Sequence, residues 1–166
     1  PRGHEEGVGE MTYAPRAEQL GGLPIEEASC FGMPCIGARY LGADARSNRL
    51  DDGALCAVCG RPATNSHHEP PLGMGGRNRA FQLRTARGSW TLSPALIALC
   101  GSGTTGCHGL RHSGRLRLRW AWASDGIAEQ WWDGRLLAHR CEPHDPALLG
   151  FGRWEASLDG GEWRPL

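Results

Sequence analysis

Leu99-Cys100-Gly101-Ser102-Gly103-Thr104-Thr105-Gly106-Cys107-His108-Gly109-Leu110-Arg111-His112 is the stretch on which the fold turns. It holds a Cys-x6-Cys pair followed at once by histidines at positions i and i+4. On a helix those two positions share one face, so His108 and His112 can share one metal ion. Cys107–His112 suits a short helix, with Gly114 as its C-terminal stop. Upstream, Cys56-x2-Cys59 has the spacing of a zinc knuckle, in which a tight turn aims two thiolates at one ion. Together with Cys100 and Cys107 it supplies four soft ligands, the set of a closed structural zinc site. The glycines between Cys100 and Cys107 let the longer spacer loop out. Between the two cysteine pairs lies His67-His68. In a strand these side chains point to opposite faces, so one can ligate a metal while the other faces a substrate. Spacing alone also allows another grouping, a single zinc held by Cys56, Cys59, His108 and His112.

The charge pattern adds a partner class. All 18 basic residues are arginine and 18 residues are acidic, so the net charge is zero. Residues 1–54 hold nine acids and five arginines, and residues 125–166 hold eight acids and four arginines. Residues 55–124 hold nine arginines and one acid, Glu69. A basic middle between acidic ends is the footprint of a polyanion-binding face. The seven cysteines, without a visible secretion signal, favour metal ligands over a disulfide framework. No run of about 18 apolar residues is present, which argues against a membrane helix and for a cytoplasmic protein. At 166 residues the chain suits one domain, or a small domain with appendages that a structural metal helps to hold.

Along the chain, residues 1–53 read as a partly irregular N-terminal extension, broken by Gly21, Gly22 and Pro24, with Cys30 and Cys35 as buried or free thiols. Residues 54–116 carry the motifs, with a loop over 70–78 and a short apolar strand at Ala95–Leu99. Residues 117–166 read as a β-rich extension. Its expected strands are 115–123, 127–132 and 135–140, joined by hairpin turns at Ser124-Asp125-Gly126 and Asp133-Gly134. Gly152–Leu158 and Glu162–Leu166 follow around Asp159-Gly160-Gly161. The tryptophans of this part are expected to pack against the motif-bearing module.

Cys56-x2-Cys59, Ser66-His67-His68-Glu69-Pro70, Gly73-Met74-Gly75-Gly76 and the Leu99–His108 run resemble the HNH endonucleases, above all the branch encoded by phages and prophages of high-GC bacteria. Gly152-Arg153-Trp154 and Leu158–Pro165 resemble tails seen in that branch. The resemblance implies an α+β fold: a small ββα-metal, treble-clef-like module with structural Zn2+, followed here by a short antiparallel β-meander. It implies that His67, His108 and His112 ligate a catalytic divalent ion (Mg2+, Mn2+, Ni2+ or Zn2+), that His68 is the general base, and that Cys56, Cys59, Cys100 and Cys107 hold the zinc. It implies DNA as substrate and a phage terminase as partner. On that reading Arg77, Arg79, Arg84, Arg87, Arg115 and Arg117 contact phosphates, and Arg111 or Arg115 stabilises the transition-state charge. The sequence departs from the family at Ala95, where the middle Asn of the motif stands, and this puts loop rigidity in question more than metal binding. The rival reading is a zinc-stabilised DNA-binding module on a degenerate nuclease scaffold.

Overall fold

The fold is taken from a computed structural model, which describes residues 33–41, 48–71, 81–85, 88–92, 94–132, 135–138 and 146–166, with only the backbone path for 81–92. Expectations that fall on Cys30, Arg77, Arg79, Arg87, Cys141 and the glycines of 73–76 lie outside the described residues, as does the side chain of Arg84.

The architecture is mixed α/β with short antiparallel sheets. At its centre stands a two-stranded sheet of β3 (Asn65–Glu69) and β6 (Ala95–Leu99), with His67 opposite Ile97 and Glu69 opposite Ala95. All five residues of β6 are buried, as a continuous apolar run covered on both faces should be. One cover comes from the N-terminal side. Ile36 pairs with Ile97 in a parallel bridge, and β1 (Ala38–Tyr40) pairs with β2 (Asn48–Leu50). A separate hairpin joins β4 (Phe81–Thr85) to β5 (Gly88–Leu92).

Helix α1 (Gly106–His112) follows and rests on β6 and on β7 (Leu116–Trp122). Gly114, at φ +76°, takes the left-handed conformation that ends it, as the sequence suggested. In β7 the sequence alternation of Leu116, Leu118, Trp120 and Trp122 puts the first three in the core and leaves Trp122 half-buried. The sheet continues with β8 (Gly152–Leu158) and β9 (Arg164–Pro165) in the order β7-β8-β9.

The expected meander needs correction between those strands. Residues 125–132 form a helix, α2 (Asp125–Trp132), and Arg135–Ala138 form a helical turn, α3, rather than the strands placed at 127–132 and 135–140. Ser124-Asp125-Gly126 is a helix start, not a hairpin turn: the Ser124 carbonyl accepts from the amides of Ile127 and Ala128, and Asp125 puts an acid in the first turn, where the helix dipole favours it. The buried pair Ala128 and Trp131 sits at helical spacing, a signal masked by the β-propensity of neighbouring Ile and Trp. A 3-10 helix (Pro146–Phe151) then leads into β8.

The tryptophans pack on one another rather than singly against the motif-bearing module. Trp120 lies edge-on to Trp122 and to Trp154, each at 5.8 Å between ring centroids, and Trp122 contacts Trp131 at 5.9 Å. Trp154 donates its indole N–H to the Pro34 carbonyl at 2.8 Å, tying the last sheet to the segment ahead of β1.

Candidate metal centre

Two sets of ligand-type side chains converge. The first is sulfur. Residues 55–62 form a tight knuckle in which the Cys56 amide donates to the Arg61 carbonyl at 2.7 Å and the Gly60 amide to the Cys56 carbonyl at 2.9 Å. The Ala57 amide donates to the Ala98 carbonyl at 2.9 Å, which docks the knuckle on β6. Cys100 directly follows that strand, and the chain must then turn within six residues to deliver Cys107 to the same place. Gly101 and Gly106 make this possible. Both have positive φ, and a Cβ on either would meet backbone, at 2.1 Å from the Thr105 oxygen for Gly101 and 2.6 Å from the Cys100 oxygen for Gly106. The His108 amide closes the turn onto the Cys100 carbonyl at 3.0 Å.

The four sulfurs of Cys56, Cys59, Cys100 and Cys107 lie within 4.8 Å of one another, with Cys59 and Cys100 at 3.5 Å. Thiolates bound at about 2.3 Å to a tetrahedral zinc stand about 3.8 Å apart, so the set has the size of such a site. None of the four is joined in a disulfide. Burial pushes the Cys56 and Cys107 thiols up, whereas a hydrogen bond from Arg61 Nε, at 3.4 Å, draws Cys59 down to about 6. A cation among them would bring the whole set to thiolate. Four cysteines placed this way could hold a structural metal ion such as zinc.

The second set is imidazole. His67 faces inward from β3, while His108 and His112 lie one turn apart on α1. Their ligand nitrogens lie within 4.8 Å of one another. His108 Nε2 and His112 Nε2 are 3.0 Å apart, near the roughly 3.3 Å separating two nitrogens on a tetrahedral zinc. The His67 ring stands edge-on to both, at 5.2 and 5.3 Å between centroids. His67 Nε2 is buried without a hydrogen-bond partner, as a metal-facing nitrogen would be. Burial, with His67 and His112 beside it, brings His108 down to about 4, so its neutral, ligating form prevails at neutral pH. Cysteine thus groups with cysteine and histidine with histidine, which overturns the mixed Cys56, Cys59, His108, His112 grouping.

His68 points the other way, as neighbours on a strand must. It lies half-buried beside the N-terminal hairpin, its Nε2 at 3.5 Å from Asn48 Nδ2 and its ring 6.3 Å from that of Tyr40. Tyr40 in turn donates its hydroxyl to the Pro94 carbonyl. Burial, and secondarily His67, lowers the His68 pKa, which favours an unprotonated ring. Ala95 is fully buried opposite Glu69, and the amide next to His68 is that of Asn48.

Arg111, Arg115 and Arg117 have partners in the chain. Arg111 forms a two-pronged ion pair with buried Glu69, both contacts 2.7 Å. Arg115 does the same with Asp159 at 2.7 and 2.8 Å, and Arg117 lies 5.5 Å from the Trp163 ring. A cleft of about 690 Å³ opens beside His112, with Arg61, Thr104 and Arg115 on its walls. Sequence reading missed Asn48, Tyr40, Glu69 and Arg61. For Glu69 a signal existed, since it is the single acid between residues 55 and 124. The Cys35 thiol, pushed up to about 11 by burial, accepts a hydrogen bond from the Leu96 amide at 3.1 Å and stands apart from both sets. Among the described residues no helix is long and apolar enough to cross a membrane. No family model, no curated protein and no solved structure matches the chain.

Proposed function

We propose that this chain is a metal-dependent endonuclease of the HNH type that hydrolyses DNA phosphodiester bonds. The observation that carries this reading is the convergence of His67 on β3 with His108 and His112 on α1, next to His68 on the opposite face of the same strand. The order of elements around the three imidazoles, two antiparallel strands and then a helix, agrees with a ββα-metal unit, and the four cysteines agree with its zinc frame.

A divalent ion on the three imidazoles would supply Lewis-acid polarisation of the scissile phosphate and charge stabilisation at the leaving oxygen. Three protein ligands leave coordination positions open, which is the pattern of catalytic rather than structural sites. His68 accepts the proton of the attacking water, and its lowered pKa keeps it ready for this at neutral pH. Asn48 and Tyr40 flank its ring. The cleft beside His112 gives a phosphate backbone a path between Arg61 and Arg115. In a phage setting, terminase is the partner that a packaging nuclease serves.

Plasmid cleavage tests this reading. Wild-type protein should nick or cut supercoiled DNA with at least one of Mg2+, Mn2+, Ni2+ and Zn2+, and a chelator should stop it. Binding without cleavage under all four ions would leave the rival reading, a zinc-stabilised DNA-binding module in which the Asn-to-Ala departure at position 95 has silenced the site.

A further inference from the structure

Glu69 sits two residues after His67 and so projects from the same side of β3. Its side chain is 2 % exposed, and its Oε2 stands 3.7 Å from His67 Nε2. Two ligand atoms on one tetrahedral zinc are about 3.3 Å apart, so this carboxylate lies close to where a fourth ligand would be. Carboxylates bind zinc readily, and three histidines plus a glutamate would make a closed site. Both carboxylate oxygens are engaged instead. Arg111 Nε donates to Oε2 and Nη2 donates to Oε1, each at 2.7 Å. Arg111 belongs to α1, three residues after His108 and one before His112, so the fork comes from the helix that brings two of the three imidazoles.

We propose that Arg111 is a positioning residue that holds Glu69 off the ion-binding nitrogens of His67, His108 and His112, so that the fourth coordination position stays free for phosphate and water. The inference rests on the metal-site reading above and assigns Arg111 to the metal centre rather than to the DNA. Its physical basis is competition for one buried carboxylate. A carboxylate stripped of its guanidinium in the interior is strongly disfavoured. With a divalent cation next to it, the ion becomes its nearest replacement partner. Losing Arg111 should therefore strengthen metal binding while closing the site. A pair that merely braces β3 against α1 gives the opposite sign, because loss of an outer support weakens metal affinity, on the order of 10–100-fold.

The experiment uses the full chain with its cysteine site loaded with zinc, and titrates the histidine site with Co2+, whose visible spectrum reports coordination. Arg111→Ala should bind Co2+ on the order of tenfold more tightly than wild type, with a spectrum shifted toward a four-ligand protein site, and should lose DNA cleavage. Arg111→Ala combined with Glu69→Gln should bring Co2+ affinity back to the wild-type level. Arg111→Gln, which keeps bulk and hydrogen bonding without the charge, carries the same expectation should the alanine variant fold poorly. Weaker or equal Co2+ binding with an unchanged spectrum in these variants overturns the proposal, as does a double variant no different from the single one. The two readings fail separately. An inert wild type whose Arg111 variants still tighten Co2+ binding sinks the nuclease and keeps the guard, while an active wild type whose variants bind Co2+ more weakly does the reverse.

Discussion

His108 and His112 bring their Nε2 atoms to 3.0 Å from one another across one turn of α1, while His68, adjacent to their partner His67, faces Asn48 on the other side of β3. The proposed ligand and the proposed base are thus separated by the pleat of a single strand, and their loss should have different consequences. His68→Ala should keep its metal content and lose cleavage by about 10²–10⁴-fold, the usual contribution of a general base. His108→Ala should lose metal from the histidine site and regain part of its rate with excess ion. Plasmid cleavage at several ion concentrations, run beside elemental analysis, separates the two. Equal rates for His68→Ala and wild type would remove His68 from the mechanism.

The sulfur set should behave as a folding element. Cys107→Ser removes one of four clustered ligands at a buried position, so it should drop the zinc content by one ion and lower or abolish the thermal transition. Cys35→Ser is the matched control. That thiol lies outside the cluster and only accepts the Leu96 amide, so zinc content should stay unchanged. Zinc content and melting temperature measured on both variants decide the matter.

Ala95→Asn would restore the residue that the HNH resemblance expects. The structure predicts a cost instead. Ala95 is 0 % exposed and stands opposite Glu69, so an amide there must find room and partners in a filled core. Overpacking together with an incompletely paired amide should destabilise by roughly 1–3 kcal/mol. A denaturant titration showing an unchanged midpoint would contradict this.

Glu155 supplies a pH test away from the metal centre. Burial raises its carboxyl, but hydrogen bonds and charge from Arg153 and Arg119 outweigh burial and hold it below the ordinary range. A depressed carboxylate stabilises the fold above its unfolded value, about 4.3, and that contribution fades as pH falls through the lower folded value. Glu155→Gln should therefore be less stable than wild type at pH 7, by about 1–2 kcal/mol after allowing for the exposure of Arg153. The gap should close as pH falls below 4.3. A constant gap from pH 7 to pH 3 would rule out this linkage.

The cysteine and histidine sets were legible because their information is local. A knuckle, a strand doublet and one helical turn each fix side-chain direction within five residues, and only the docking of three short pieces remained to be found. Less legible were features decided at a distance. The Glu69–Arg111 pair spans 42 positions, and Asn48 reaches His68 from a segment whose composition suggested an irregular arm. The stretch after β7 was misread for another reason. Ser-Asp-Gly opens hairpins and helices alike, and Ile127, Trp131 and Trp132 carry strong β-propensity. Burial of Ala128 with Trp131 against the tryptophan cluster tips the segment to helix, and that burial depends on where β7 and β8 lie.

The hydrogen bond from Trp154 to Pro34 joins positions 120 residues apart, and every side chain of the two candidate ligand sets lies between them. On the ribosome, the seven cysteines and histidines of the two sets therefore emerge before β8 does. The nascent chain can gather its four cysteines early, but the sheet on which α1 rests is completed only when β8 and β9 have left the exit tunnel. Metal capture could then precede closure of the core. A chain synthesised in this order could take up an ion on its cysteines while still held by the ribosome, and the clasp at Pro34 would shut only after β8 has emerged.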